Sequence, residues 1–217
     1  MRKKLLIIGF MVLIIIVLGG WFFMKMAERP TALKDSLTAS HLDKESRTSE
    51  GFFRYTSKKN EYSMLFPEEF AIDRESFEEK EKFESWHVYP SDDQEESLLR
   101  SIKYMYSYDR SPDAFFKQYS YKGEYETIKA HENTQVAIHI GAVYNSFDKD
   151  AKMTKLDPAK YGPSLVLAMV ENKDTGENIR IISSVRCPKN TTCEKVSLED
   201  EQNFVLKMAK SIKFNID

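Results

Sequence analysis

The chain has 217 residues, a formal charge of −2, 41% apolar and 12% aromatic residues. That is enough for one membrane-proximal segment and one domain of ordinary size, and the slight acidity excludes a dedicated nucleic-acid binder, which is normally basic. Only eight glycines are present, and no glycine-rich phosphate loop is among them.

The chain opens with Arg2, Lys3 and Lys4, followed by an uncharged apolar run from Leu5 to Met24. About 20 such residues suffice for a helix to cross a hydrocarbon core of roughly 30 Å. Residues 1–4 then form a cytoplasmic tip, residues 5–24 a transmembrane helix, and the positive flank places the rest of the chain outside. Trp21, Phe22 and Phe23 suit the outer interface. A cleaved signal peptide competes through Val17-Leu18-Gly19, although the apolar run continues beyond that site. A lipid-modified bacterial protein would carry a cysteine at the end of the run, and none stands there.

Residues 25–50 hold Pro30 and many Ser, Thr, Lys and Glu without a sustained apolar period, and read as a stalk with a helical stretch near Pro30–Leu42. The folded domain is expected over 51–217. Phe52–Tyr55 and Tyr62–Phe66 read as strands around the polar turn Ser57–Glu61, with Tyr62, Met64 and Phe66 on one face. Residues 61–100 carry 13 acids against four basic residues, which reads as a solvated surface, or as a docking face for a basic partner. Phe83–Tyr89 and Leu98–Tyr108 are the next strands, separated by the turn signal Pro90-Ser91-Asp92-Asp93.

Ser111-Pro112-Asp113 starts a helix, with Ser as N-cap and Pro at the first helical position. It is expected to run to about Tyr121, burying Phe115, Phe116 and Tyr119, and to end at Gly123. Glu124–Lys129 and Thr134–Phe147 read as strands, the second with Val136, Ile138, Ile140, Ala142 and Tyr144 on one face. Ser164–Val170 and Ile179–Val185 form a hairpin. Ser197–Asp200 starts a second helix with Phe204, Val205, Met208 and Ile212 at helical spacing, and Ile212, Phe214 and Ile216 alternate as a last strand. Hairpin-length links make this an α+β domain with a largely antiparallel sheet packed with helices.

Tyr62-Ser63-Met64-Leu65-Phe66-Pro67-Glu68-Glu69-Phe70 resembles the aromatic-x-apolar-x-Phe-Pro-x-x-aromatic opening of PsbP-like and Mog1-like domains, with Phe70 where Trp is common. The end of the second helix running into Ser211-Ile212-Lys213-Phe214 is similar to how those domains close. The resemblance implies an antiparallel sheet sandwiched by helices. It also implies an accessory or binding role outside the bacterial membrane.

Candidate chemistry is sparse. Cys187 and Cys193, spaced C-x5-C, fit a loop-closing disulfide if the domain lies outside the cytoplasm, rather than a redox or zinc motif. His87 and His139 could meet on neighbouring strands; His41 and His131 have no partners in view, and no metal site is expected. No nucleophile motif occurs, and 34 acids make chance carboxylate pairs inevitable. Tyr104, Tyr106 and Tyr108 alternate on one strand and Tyr119 and Tyr121 follow. They are either core residues with a polar tip at the rim or an exposed aromatic face for a partner. The expectation is a non-catalytic, cofactor-free accessory or protein-interaction domain, attached to the membrane through residues 5–24 and contacting a membrane or envelope protein. An extracytoplasmic module binding cell-wall glycan or a small molecule is the alternative, and an envelope enzyme a more distant one.

Overall fold

A computed structural model describes residues 29–60, 62–90, 99–121, 123–130, 135–147, 153–186 and 196–214. The expected transmembrane segment Leu5–Met24, the cysteines and His131 lie outside these residues. Among the described residues, no helix is long and apolar enough to cross a membrane.

The chain first forms two single-turn helices, α1 (Thr31–Lys34) and α2 (Ser36–Ala39), then strand β1 (Leu42–Asp43). The strands β2 (Phe52–Thr56) and β3 (Tyr62–Pro67) follow, then β4 (Phe70–Ile72), β5 (Glu78–Lys80), β6 (Phe83–Pro90) and β7 (Leu99–Tyr108). Helix α3 (Pro112–Gln118) leads into β8 (Glu126–Lys129), β9 (Val136–Val143), β10 (Asn145–Phe147) and β11 (Met153–Lys155). The hairpin β12 (Leu165–Asn172) and β13 (Glu177–Arg186), helix α4 (Leu198–Ser211) and β14 (Lys213–Phe214) complete it.

Strands carry the architecture. A four-stranded sheet runs β1-β2-β3-β14, and an eight-stranded sheet runs β4-β6-β7-β13-β12-β9-β8 with β5 also on β6. Every pairing is antiparallel. The α+β expectation, a sheet sandwiched by helices, is therefore corrected to a mostly antiparallel β fold with few helices. Among the described residues only α4 exceeds seven residues. Helical periodicity marked α3 and α4 correctly, but the layer facing the large sheet is built chiefly by a second sheet.

The main core lies between the two sheets and α4. Phe53, Tyr55, Met64 and Phe66 of the small sheet meet Trp86, Val88, Ile102, Tyr104 and Ile181 of the large one, with Val205 and Met208 of α4. Rings stack through this layer, Trp86 lying 4.0 Å from Tyr104 and 5.0 Å from Tyr55 between centroids. Helix α4 forms because Ser197 accepts from the Asp200 amide at 3.3 Å, acids fill its first turn, and Val205, Met208 and Ala209 recur on one side. Its end is tied down by Ser211, whose Oγ accepts from the Leu65 amide at 2.7 Å. The chain then pairs β14 with β3, placing Phe214 beside Tyr62, so the two sequence segments that carry the family resemblance are neighbours in one sheet.

The presumed stalk is also corrected. Ala32 and Thr38 are fully buried, and Leu42 and His41 nearly so. Asp35 caps α2 by accepting from the Thr38 amide at 2.7 Å, and Thr38 Oγ1 accepts from the Ile72 amide at 2.9 Å. His41 stacks on Tyr55, 5.5 Å away at 9°. The segment looks polar because Asp35 and Thr38 use their side chains for a cap and a buried bond to β4, not because it is unpacked.

Candidate functional site

Strand alternation places two buried charged groups on opposite faces of the large sheet. On the inner face, Glu84, Trp86 and Val88 of β6 are all buried. Glu84 is fully buried and accepts five hydrogen bonds: from Tyr55 OH at 2.5 Å, Tyr62 OH at 2.7 Å, Trp86 Nε1 at 2.7 Å, Ser57 Oγ at 2.6 Å and Asn60 Nδ2 at 3.4 Å. An ionised carboxylate only accepts, and each of these groups donates. Burial, and then the charge of Glu84, drives the Tyr55 phenol well above its ordinary pKa. Burial does the same to Tyr62, helped by Tyr55 and Glu84, so both phenols stay protonated donors.

On the outer face, β13 presents Asn178, Arg180 and Ile182, β7 presents Met105 and Ser107, and β12 presents Leu167, Met169 and Glu171. Helix α3 covers part of this face, with Phe115 and Phe116 packed on Val143, Leu167, Met169 and Ile182. Ser111 caps it by accepting from the Ala114 amide at 3.2 Å. The helix stops at Gln118, earlier than the sequence suggests, because Ser120 takes a left-handed conformation with φ of 57°.

Arg180 is only 6% exposed. Its Nη2 donates to Ser107 Oγ at 2.9 Å, while Nε is buried without an acceptor among the described residues. Burial, and next the like charge of Arg110, lowers the Arg180 pKa. Arg110 donates from Nη2 to Gln118 Oε1 at 3.0 Å, and its Nε is likewise buried without an acceptor. Nearby acids are engaged elsewhere. Glu171 faces His139 Nε2 at 3.4 Å and Asp113 accepts from Tyr125 OH at 2.7 Å, while Glu177 lies on the inner face and accepts from Tyr106 OH at 2.8 Å.

His139 lies on this face, in register with Met169, with Nδ1 2.9 Å from Thr127 Oγ1 and its ring edge-on to Tyr125 at 5.4 Å. Burial outweighs the Glu171 hydrogen bond and lowers its pKa. His87 is on β6 and His139 on β9, with β7, β13 and β12 between them, so the expected meeting does not occur. Among the described residues no cluster of His, Cys, Asp and Glu could hold a metal ion.

The tyrosines divide between the two faces. Tyr104 and Tyr106 are buried in the inner core, where Tyr104 OH lies 2.9 Å from Met208 Sδ and Tyr106 stacks on Tyr62 at 5.2 Å. Burial raises both phenols above their ordinary range. Tyr108 is half-buried beside them, 3.1 Å from Tyr106 OH. Tyr119 and Tyr121 pack with α3 on the outer face. Tyr104, Tyr106 and Tyr108 are thus core with a rim, and the five do not form one exposed aromatic surface. Sequence reading missed Glu84 and Arg180. Their signal was positional: Glu84 stands two residues from Trp86 on a strand, and Arg180 stands inside the apolar run Ile179–Ile182.

The fold defines a β-rich domain with a charged, partly covered outer sheet face. A family model, YvcA/Mog1p, described as "Putative lipoprotein YvcA", matches residues 28–213. The chain belongs to this family. The resemblance to Mog1-like domains is thereby supported, and the family's description associates it with the membrane and the cell envelope. No curated protein and no solved structure matches the chain.

Proposed function

We propose that this protein is a non-catalytic accessory domain, attached to the outer side of the cytoplasmic membrane through residues 5–24 and acting by contact with a membrane or envelope protein. The observation that carries the reading is where the family match begins. It starts at residue 28, four residues beyond the apolar run Leu5–Met24. Packing begins as soon, since the Ala32 amide already donates to Glu68 O at 2.9 Å. Five residues, 25–29, can span at most about 18 Å. A domain on so short a tether reaches only partners in the membrane or at its surface. The family is described as lipoprotein, yet the only cysteines of this sequence are Cys187 and Cys193, so the apolar run takes the place of a lipid. Arg2, Lys3 and Lys4 orient it with the N-terminus inside, crossing once.

Two experiments in intact cells test this reading. A membrane-impermeant thiol reagent labels Cys187 and Cys193, and only after reduction, if the domain is outside and the pair is a disulfide. Labelling that requires cell lysis contradicts the orientation. In-cell crosslinking of the full-length protein, beside a form lacking residues 1–24, yields a membrane or envelope partner that the shortened form loses. Equal capture by both forms contradicts a role for attachment.

A further inference from the structure

The outer sheet face holds a charge that pairs with no acid among the described residues. Arg180 is a nearly buried guanidinium, in cross-strand register with Met105 and Met169, and held, among the described residues, by one side-chain hydrogen bond to Ser107. Ser107 is a positioning residue here, because its hydroxyl passes on to Asn178 Oδ1 at 3.2 Å and so accepts from Arg180 in a fixed direction. Arg110, on the loop into α3, carries a second guanidinium whose like charge, after burial, lowers the Arg180 pKa. Both Nε–H groups are buried and lack an acceptor among the described residues. A buried ion without a counter-charge is expensive, and donors that face no acceptor add to the cost. The two like charges repel as well. An oxyanion removes all three penalties together, because its oxygens match the planar fork of arginine.

We propose that Arg180 and Arg110 form a binding site for the oxyanion group, phosphate or carboxylate, of a small ligand. Arg180 is the buried floor, held by Ser107 and Asn178. Arg110 and Tyr119, just before and just after α3, are the half-buried rim. The described acids nearest this face, Glu171 and Asp113, are held by His139 and Tyr125. With two positive charges facing it, a phosphate dianion binds more tightly than a carboxylate.

The test is thermal unfolding of the full-length protein in detergent, titrated with inorganic phosphate or acetate at ionic strength held constant with chloride. Phosphate stabilises folded proteins generally by exclusion from their surface, so the variants carry the decision. The wild type is expected to gain about 3–6 °C at phosphate concentrations about ten times Kd, saturably, with a smaller gain in acetate. Arg180→Met loses the saturable part, and Arg110→Gln weakens it by about tenfold in midpoint concentration, roughly one charge-assisted contact. Two results overturn the site. One is an equal phosphate response in wild type and Arg180→Met. The other is an Arg180→Met protein that is strongly destabilised without any added anion, because that identifies an internal acid as the partner. Arg180→Lys is the second variant: it keeps the charge, loses the fork and is expected to fold with a weakened phosphate response. An unchanged response in Arg180→Lys counts against the site.

Discussion

Glu84 and Arg180 are both nearly buried charges on one sheet, yet their surroundings are opposite. Glu84 lies in an aromatic core and receives five donors. Arg180 lies between methionines and, among the described residues, donates to one hydroxyl and keeps a buried Nε without an acceptor. The first is a closed account, in which neutral dipoles replace the water the carboxylate gave up. The second is open. The difference teaches how to tell a structural charge from one held for a ligand: not by burial, which the two share, but by whether the protein completes the hydrogen bonding.

Substitutions can break this contrast. The largest effect is expected at Glu84. Glu84→Gln keeps the shape but turns an amide toward donors, and should cost on the order of 2–4 kcal/mol, seen as a lower urea midpoint followed by Trp86 fluorescence. Removing one donor is milder: Tyr55→Phe or Tyr62→Phe should each cost about 1.5–3 kcal/mol, and the two losses should not add, since both phenols meet the same oxygen. Arg180→Met should lie within about 1 kcal/mol of wild type in chloride buffer, or above it, because the methionine removes an incompletely paired charge.

The smallest effect is a pH dependence on the Arg180 face. Burial holds the His139 pKa below its ordinary value despite Glu171, with Lys173 lowering it further and Asp113 opposing. The folded state therefore binds fewer protons than the unfolded state as pH falls through about 6.5, and stability declines from there until the folded value is passed. His87, lowered by burial and Lys103, has the same sign. Urea midpoints between pH 7.5 and 5.5 should fall less in His139→Gln than in wild type; an unchanged slope removes His139 from that account.

Much of the strand order was legible because alternation is a local signal. Tyr62, Met64 and Phe66 share the inner face as their spacing implies, and Ser111-Pro112 opens α3. What failed depended on tertiary contacts. Residues 31–43 have caps in place of an apolar period, so their burial came only from packing on β2 and β4. Glycine was expected to end α3 at Gly123, but Ser120 took the left-handed turn. The acids of 61–100 read as solvated surface, and Glu84 among them became the centre of the core, since composition over forty residues hides which face one of them takes. Arg180 was overlooked because the hairpin around it was read for its isoleucines. Whether a charge finds its partners is a property of neighbouring strands, and those pairings lie up to 73 residues apart in sequence.

The most direct measurement is urea unfolding of the full-length protein in detergent, comparing wild type, Glu84→Gln and Arg180→Met in chloride and in phosphate. A structural Glu84 and a ligand-directed Arg180 predict that Glu84→Gln is destabilised equally in both buffers, whereas Arg180→Met matches wild type in chloride and falls behind it in phosphate. Loss of stability in Arg180→Met as large as that in Glu84→Gln, and independent of phosphate, would contradict the distinction between the two charges.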